Sequence, residues 1–224
     1  MDASFNLLLG ACILCLAKTN GVWCKDCARD LFRPETNRCP VCANYVTNSH
    51  ICGNCLDKQP VYNRTRVLCS YQYPSDHLIS KLKFDKKPEL AYVFAEQFVS
   101  DLENPANLPD ILIPVPLHPK RQSERGFNQS AIFAIALAKR LGLQVDPSLF
   151  VRERHTKPQS SLSFKNRKKN VKGAFKLIKA LQYKHVAIVD DVITTGATVR
   201  ELAKPLKSAG ADNIEIWAIA KTGY

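Results

Sequence analysis

The chain has 224 residues, 46% of them hydrophobic, which excludes wholesale disorder and suffices for one ordinary domain plus a small one. Its net charge of +12 and its pI of about 9.3 point to anionic partners: nucleic acid, phosphorylated metabolites or an acidic membrane surface. No run approaches the ~20 apolar residues of a transmembrane helix, and no basic leader precedes the first apolar stretch. We therefore expect a cytoplasmic protein without membrane insertion.

The first 60 residues are rich in cysteine and contain four Cys-x-x-Cys pairs. The pairs form two sets, with the spacings C-x2-C-x8-C-x2-C and C-x2-C-x9-C-x2-C. Each set offers four thiolates, which is the donor set of a closed structural Zn2+ site, and zinc would staple a segment too small for its own core. The candidate zinc ligands are Cys12, Cys15, Cys24, Cys27, Cys39, Cys42, Cys52 and Cys55.

Two pairings of these cysteines are open. A sequential pairing gives two successive zinc ribbons, whereas a cross-braced pairing joins the first pair to the third and the second to the fourth. We favour the sequential pairing, because each loop then closes locally at lower entropic cost. Four thiolates around each Zn2+ leave the segment slightly acidic, so it suits a docking scaffold as well as nucleic-acid contact. We predict a double zinc-ribbon domain over residues 1–60.

From Val61 the pattern changes to alternating strands and helices. Apolar runs predict strands in the segments RVLCSYQY, PDILIPV, HVAIVDD and IEIWAIAK. Helical spacing predicts helices in DHLISKLKF, PELAYVFAEQFVSDL, NQSAIFAIALAKRLG and GATVRELAKPLKSAG, the last interrupted by Pro205. Asn128 suits an N-cap, and the polar stretch from about 152 to 170 reads as a loop. This alternation predicts an α/β domain with a parallel sheet over residues 61–224.

The stretch HVAIVDDVITTGAT, residues 185–198, raises the question of why two carboxylates follow a buried strand. Ligands bind at the carboxyl ends of parallel strands, and a loop of small and hydroxyl residues before a helix suits a phosphate. Asp190 and Asp191 would then accept hydrogen bonds from vicinal hydroxyls of the same ligand, a layout that ribose 5-phosphate has. The phosphate-binding candidates are Thr194, Thr195, Gly196, Ala197 and Thr198.

This stretch closely resembles the phosphoribosyl pyrophosphate (PRPP) signature of type I phosphoribosyltransferases. The segments PVPLHPKRQSERGFNQS (114–130) and RERHTKPQSSLSFKNRKKNVKGAF (152–175), together with the cysteine sets, are similar to the ComF or GntX-like competence family. The resemblance implies a type I phosphoribosyltransferase-like parallel sheet flanked by helices and preceded by a double zinc ribbon. It also implies binding of PRPP with Mg2+ and a part in natural transformation, as a cytoplasmic partner of incoming single-stranded DNA.

The resemblance also implies roles for individual residues. Asp190 and Asp191 would be the catalytic acids that fix the ribose hydroxyls, and the Thr-Gly loop would hold the 5-phosphate. Residues of the pyrophosphate loop and of a mobile hood would be Lys120, Arg121, Arg125, Arg154, Gln159, Arg167 and Asn170. Phe127 is expected to pack, with base stacking left open. The segment 152–184 has eleven Lys/Arg against one acid, and its nucleic-acid candidates are Arg167, Lys168, Lys169 and Lys172.

Three functions remain open at this point. The chain could be a phosphoribosyltransferase with an unidentified acceptor and a metabolic role, or a PRPP-binding protein that handles single-stranded DNA. It could also be a zinc-ribbon adaptor that docks to a competence helicase or an uptake channel. The complete acid pair and phosphate loop favour intact PRPP binding over a pure scaffold. Binding does not imply catalysis, however, because nothing in the sequence names an acceptor or a general base beyond the acids.

Overall fold

The computed structural model describes residues 10–32, 37–47, 50–85, 87–102, 107–154 and 170–223. The strands of this part of the chain are β1 Arg64–Ser70, β2 Ile111–Pro114, β3 Gln144–Val145, β4 Phe150–Arg152, β5 Phe175–Leu177, β6 His185–Ile193 and β7 Asn213–Lys221. Five of them form a parallel sheet in the order β1-β7-β6-β2-β3. The other two, β4 and β5, pair antiparallel beside it. The predicted parallel α/β architecture is confirmed.

The helices of the described residues are α1 Lys25–Leu31, α2 Gly53–Asp57, α3 Ser75–Phe84, α4 Glu89–Ser100, α5 Pro119–Arg125, α6 Gln129–Leu141 and α7 Ala197–Ser208. The side chain of Asn128 accepts hydrogen bonds from the backbone N–H groups of Ser130 and Ala131 and so caps α6, as predicted. Gly142 ends α6 in the left-handed conformation. Helix α7 continues through Pro205.

The sheet is covered on both faces, since successive residues of β6 enter different hydrophobic clusters. Ala187 and Val189 belong to the cluster that α3, α4 and α6 build, whereas Val186 and Ile188 belong to the cluster under α7. This alternation follows from the two-residue period of a strand. Burial on both faces explains why β6 and β7 are continuous apolar runs.

The cysteine-rich segment packs against this α/β unit. Trp23 lies 5.2 Å from Phe32 and 6.3 Å from Phe94 of α4, measured between ring centroids. At the outer edge of β1, the backbone N–H of Thr65 donates to the carbonyl of Pro40 at 3.0 Å, and its hydroxyl donates to the carbonyl of Val41 at 2.6 Å. Residues on both sides of position 60 therefore share hydrophobic clusters, and a domain boundary there stays a prediction.

Three details differ from the sequence-based expectations. The first strand is Arg64–Ser70, so it begins two residues before RVLCSYQY and ends before that segment does. Residues expected to form a loop after β2 form α5, and β4 with β5 flank the polar stretch expected to be a loop. The centre of that stretch, residues 155–169, lies outside the described residues. Over the described ranges, no helix is both long and apolar enough to cross a membrane.

Candidate functional site

The acid pair lies near the carboxyl end of β6, where the amino end of α6 and the carboxyl end of α3 meet it. Ser130 Oγ donates to Asp190 Oδ1 at 3.2 Å, and the backbone N–H of Asp191 donates to the same oxygen at 2.9 Å. Asp191 Oδ1 accepts the backbone N–H of Val192 at 2.6 Å. The strand continues to Ile193, so the two acids belong to the strand rather than to the loop after it.

The two carboxyl groups differ in their electrostatic surroundings. Burial, followed by the negative charge of Asp191, raises the pKa of Asp190 to about 7. The charge of Lys83 and hydrogen bonds from Ser130 and the Asp191 backbone oppose this rise. Asp190 is thus poised to gain or lose a proton near neutral pH, as a general base would be.

Lys83 is a site residue that the sequence analysis missed. It lies in the last turn of α3, and its Nζ is 3.2 Å from Asp191 Oδ2. The pair is shielded, because the side chains of Lys83 and Asp191 are 17% and 7% exposed. The contact is an ion pair without hydrogen-bond geometry: among the described residues, Asp191 Oδ2 has no hydrogen-bond donor. This buried oxygen therefore has unused hydrogen-bond acceptor capacity.

The Thr-Gly loop joins β6 to α7, as the sequence predicts. Gly196 has a φ of +71°, a left-handed conformation that costs a residue with a Cβ about 1 kcal/mol, and it stands at the N-cap of α7. Lys221 Nζ donates to the carbonyl of Thr194 at 3.0 Å, and Arg200 Nη1 donates to the carbonyl of Thr195 at 3.0 Å. Cations thus hold loop carbonyls in place before the amino end of α7, which favours an anion.

Three predicted cations, Lys120, Arg121 and Arg125, lie on α5. Burial, followed by the charge of Arg125, lowers the pKa of Arg121. Arg152 at the end of β4 is buried, and burial and then the charge of Arg121 lower its pKa to about 10, opposed by Asp190. Arg121 and Arg152 therefore place two positive charges close together beside the acid pair. Arg152 was not among the residues predicted from the sequence, although the apolar residues LFV before it indicate a buried strand.

The remaining predicted hood and nucleic-acid residues are placed only in part. Arg154 Nη1 donates to the carbonyl of Lys172 at 2.8 Å, and both side chains are exposed. Asn170 is half-buried. The residues Gln159, Arg167, Lys168 and Lys169 lie outside the described residues.

The cysteines form two groups in sequential order, Cys12 with Cys15, Cys24 and Cys27, and Cys39 with Cys42, Cys52 and Cys55. Within each group the sulfur atoms lie within 4.8 Å of one another. The Sγ atoms of Cys15 and Cys24 are 3.6 Å apart, and those of Cys42 and Cys52 are 3.5 Å apart. Zn–S bonds of about 2.3 Å in a tetrahedron give S···S distances of about 3.8 Å, so both groups could bind zinc.

The second cysteine group is connected to the phosphate-loop candidates. Arg38 precedes Cys39, and its guanidinium donates to the carbonyl of Ala43 at 2.6 Å and to Ser70 Oγ at 2.7 Å. Burial, followed by the charge of Arg38, lowers the pKa of Lys221 to about 8. Lys221 donates in turn to the carbonyl of Thr194, so this lysine lies between the charge of Arg38 and the loop.

Comparisons with known proteins agree with this arrangement. Residues 128–223 match the phosphoribosyl transferase domain family. The DNA utilization protein YhgH of Shigella flexneri is 37% identical and covers 95% of this chain and 97% of its own. Competence protein F of Haemophilus influenzae is 35% identical over 76% of this chain and 78% of its own. Competence protein ComFC of Streptococcus pneumoniae is 25% identical over 96% of this chain and 95% of its own.

The alignment with YhgH spans nearly both chains, so it includes the cysteine groups as well as the α/β unit. The structure joins the same two parts, with an acid pair and a Thr-Gly loop at the carboxyl edge of a parallel sheet. The chain therefore belongs to the ComF-like family, with a phosphoribosyltransferase domain behind two zinc-ribbon-type cysteine groups.

Proposed function

We propose that this protein binds PRPP with Mg2+ at the carboxyl edge of β6 and acts in the cytoplasm in the handling of single-stranded DNA. The observation that carries the first half is the adjacency of the acid pair and the Thr-Gly loop on one strand-loop-helix unit. A carboxylate pair with unused acceptor capacity suits the hydroxyls of a ribose 5-phosphate, and the amino end of a helix suits its phosphate.

Each part of the site would have a separate task. Asp190 and Asp191 would accept hydrogen bonds from the ribose hydroxyls, while Lys83 pairs with Asp191 and Ser130 orients Asp190. The loop from Thr194 to Thr198 would hold the 5-phosphate. Arg121 and Arg152, which lie close to each other and to Asp190, would supply positive charge to the pyrophosphate.

The second half of the proposal is supported by the relatives and by charge. The names of the relatives refer to DNA utilization and to competence. The net charge of +12 favours a polyanion, because each phosphate contact releases counterions. A competence helicase or uptake channel is the partner class that this role requires, and the cysteine groups offer it a docking surface.

A second candidate, transfer of the phosphoribosyl group from PRPP to an unidentified acceptor by an active phosphoribosyltransferase, is favoured by the pKa of Asp190 near 7. In that reaction the bond from C1 of the ribose to pyrophosphate breaks, an acceptor atom bonds to C1, and Asp190 takes the acceptor's proton. Mg2+, held mainly by oxygens of PRPP, would supply charge neutralisation to the departing pyrophosphate. Pyrophosphate release in the presence of nucleobases or DNA would distinguish this enzyme from a PRPP-binding protein.

Calorimetric titration with Mg2+-PRPP tests the proposed site. We expect wild type to bind and the D190N/D191N double variant to lose the binding, because amides cannot replace both ionised acceptors. A D212N variant is the matched control, because Asp212 is an exposed acid just before the amino end of β7, whereas the proposed site lies at the carboxyl edge of the sheet. Failure of folded, zinc-loaded wild type to bind PRPP would contradict the proposal.

The pKa of Asp190 gives the same experiment a second readout. If ionised Asp190 accepts a ribose hydroxyl, binding at pH 7 releases about half a proton per PRPP, so the apparent enthalpy varies with the ionisation enthalpy of the buffer. Without ligand, the raised pKa of Asp190 fixes the direction in which stability changes with pH. Stability from protonated Asp190 is complete below its ordinary pKa of 3.8 and is lost as the pH rises through about 7. Asp190→Asn should flatten this decline in denaturant titrations.

DNA binding has its own test. We expect the affinity of the full chain for a short single strand to fall as salt rises, by about 0.7 log unit per log unit of salt for each phosphate contact. A flat salt response would remove single-stranded DNA from the proposal and leave PRPP binding in place.

A further inference from the structure

An exposed aromatic ring stands beside the acid pair, and the functions described so far do not use it. Phe84 is the last residue of α3 and is 64% exposed. A single exposed apolar residue is ordinary on a protein surface. Phe84 is set apart by a cation that lies over its ring and by its position next to Lys83.

The cation is Arg125, the last residue of α5. Its guanidinium carbon lies 5.0 Å from the centroid of the Phe84 ring, within the range of a cation–π contact. Arg125 is itself half-buried, so this contact ties the end of α3 to the end of α5. The result is a small shelf, the Phe84–Arg125 shelf, made of one flat apolar ring and one planar group with several N–H donors.

The shelf lies at the rim of the proposed phosphoribosyl site. Lys83 Nζ is 3.2 Å from Asp191 Oδ2, and the Cα atoms of neighbouring residues such as Lys83 and Phe84 are about 3.8 Å apart. Lys83 therefore turns inward to the acid pair while Phe84 turns to solvent at the same helix end. A flat group on the shelf would be close to a ribose whose hydroxyls the acids hold.

We propose that the Phe84–Arg125 shelf stacks a nucleobase beside the acid pair. This inference rests on the proposed function and names the ligand of the same site. Because Arg125 lies over one face of the Phe84 ring, a nucleobase would place its π-face against the other face. Stacking tolerates any base, which suits a single strand of arbitrary sequence.

The structure favours Phe84 over the other aromatic residue considered at this edge. Phe127, between α5 and α6, is partly buried and packs against the hydrophobic cluster of α4 and α6. Its ring serves packing, as expected from the sequence. The base could belong to a DNA strand or be a free base that accompanies PRPP, and both present the same ring to the shelf.

The test uses the full zinc-loaded chain and 2-aminopurine, a fluorescent base that dims when it stacks. In one arm the probe sits in a 12-nucleotide single strand; in the other it is free and Mg2+-PRPP is present. Wild type should quench at least one probe. Phe84→Ala and Phe84→Leu should weaken that binding about tenfold and abolish the quench, since one stacked base contributes about 1–3 kcal/mol, and Phe84→Tyr should preserve both.

Tyr73 supplies the matched control, because it is 83% exposed and precedes the other end of α3. Tyr73→Ala should leave the quench unchanged. PRPP affinity without base should be the same in all these variants, which separates the shelf from the phosphoribosyl site. If wild type and Phe84→Ala bind the labelled DNA equally and quench its fluorescence equally, the shelf is overturned, but DNA handling is not. Equal binding and quenching by wild type and Phe84→Leu would show an apolar contact in place of stacking.

The two arms also separate failure of the shelf from failure of the proposed function. Wild type that binds no strand, yet quenches free 2-aminopurine through Phe84, would overturn DNA handling and support the shelf for a free base. Wild type that quenches neither probe would overturn the shelf, and the calorimetric titration with PRPP would still decide the phosphoribosyl site by itself.

Discussion

The two cysteine groups share one local design and have different surroundings. In each, a backbone N–H returns to the first cysteine's carbonyl, from Leu16 to Cys12 at 2.9 Å and from Ala43 to Cys39 at 2.8 Å. Leu16 and Ala43 both have a positive φ, 62° and 56°. In each group a later cysteine precedes a helix, α1 or α2.

Their packing differs. Cys15 of the first group is exposed, and this group reaches the α/β unit through the rings of Trp23 and Phe32. In the second group Cys39, Cys42 and Cys55 are buried within the cluster under α7. One local sequence pattern therefore gives a peripheral module and an internal one, and the surrounding core decides which. The second group should matter more for both stability and ligand binding.

The largest effect is expected from Cys42→Ser. Loss of one thiolate from a structural site removes metal affinity that contributes folding energy directly, and here the site is part of the core. We expect zinc content to fall from two to one, the melting temperature to fall by more than about 10 °C, and PRPP binding to be lost. Metal-content mass spectrometry and thermal unfolding check this. A Cys42→Ser variant that keeps its PRPP affinity would contradict the expected difference between the two cysteine groups.

Cys15→Ser should lose one zinc with much milder consequences. Cys15 is exposed, and the contacts of Trp23 with α4 do not depend on it directly. We expect PRPP affinity within about twofold of wild type and a melting temperature lower by only a few degrees. Loss of PRPP binding equal to that of the Cys42 variant would show that the two groups are equivalent.

Lys221→Met tests the polar link between the second group and the loop. The carbonyl of Thr194 would lose a donor at 3.0 Å, and hydrogen bonds from charged groups contribute about 1.5–3 kcal/mol, so PRPP affinity should fall about tenfold. Burial lowers the pKa of Lys221 to about 8, so removing a buried charge offsets the hydrogen bonds lost to the carbonyls of Thr194 and Thr222, and stability should change little. Lys207→Met, on exposed α7 surface, is the control for losing one lysine.

The smallest effect should appear in chelation kinetics. Because Cys15 is exposed and Cys39, Cys42 and Cys55 are buried, a chelator should remove the first zinc faster than the second. Release followed with a metal-sensitive dye would then show two phases, and the faster phase should be absent in Cys15→Ser. A single phase in wild type would mean that burial does not distinguish the sites.

Much of the fold could be predicted because it follows from local patterns. The apolar runs of β6 and β7 and the periodicity of α4 and α6 are visible in the sequence, and so are the capping residues Asn128 and Gly142. Helix α5 was not predicted, because it buries no residue and so has no apolar stripe. Its signals were Pro119 at the first turn and Gly126 just after its end.

The candidate site was predictable where its residues are contiguous. The acid pair and the Thr-Gly loop form one short segment whose chemistry can be interpreted without a structure. Lys83 and Arg152 could not be placed, since only tertiary packing brings α3 and β4 to the end of β6. A lysine near the end of a helix is usually a solvated residue, and its sequence context does not reveal a buried carboxylate partner.

The contact of Thr65 with Pro40 and Val41 has a consequence for the tendency of the protein to self-associate when zinc is scarce. Strand β1 stands at one edge of the sheet, and the second cysteine group occupies its outward backbone N–H. An uncovered edge strand is a template for pairing with another chain. If zinc holds the second group in place, it also keeps this part of the edge covered, and loss of zinc should therefore expose the edge to self-association.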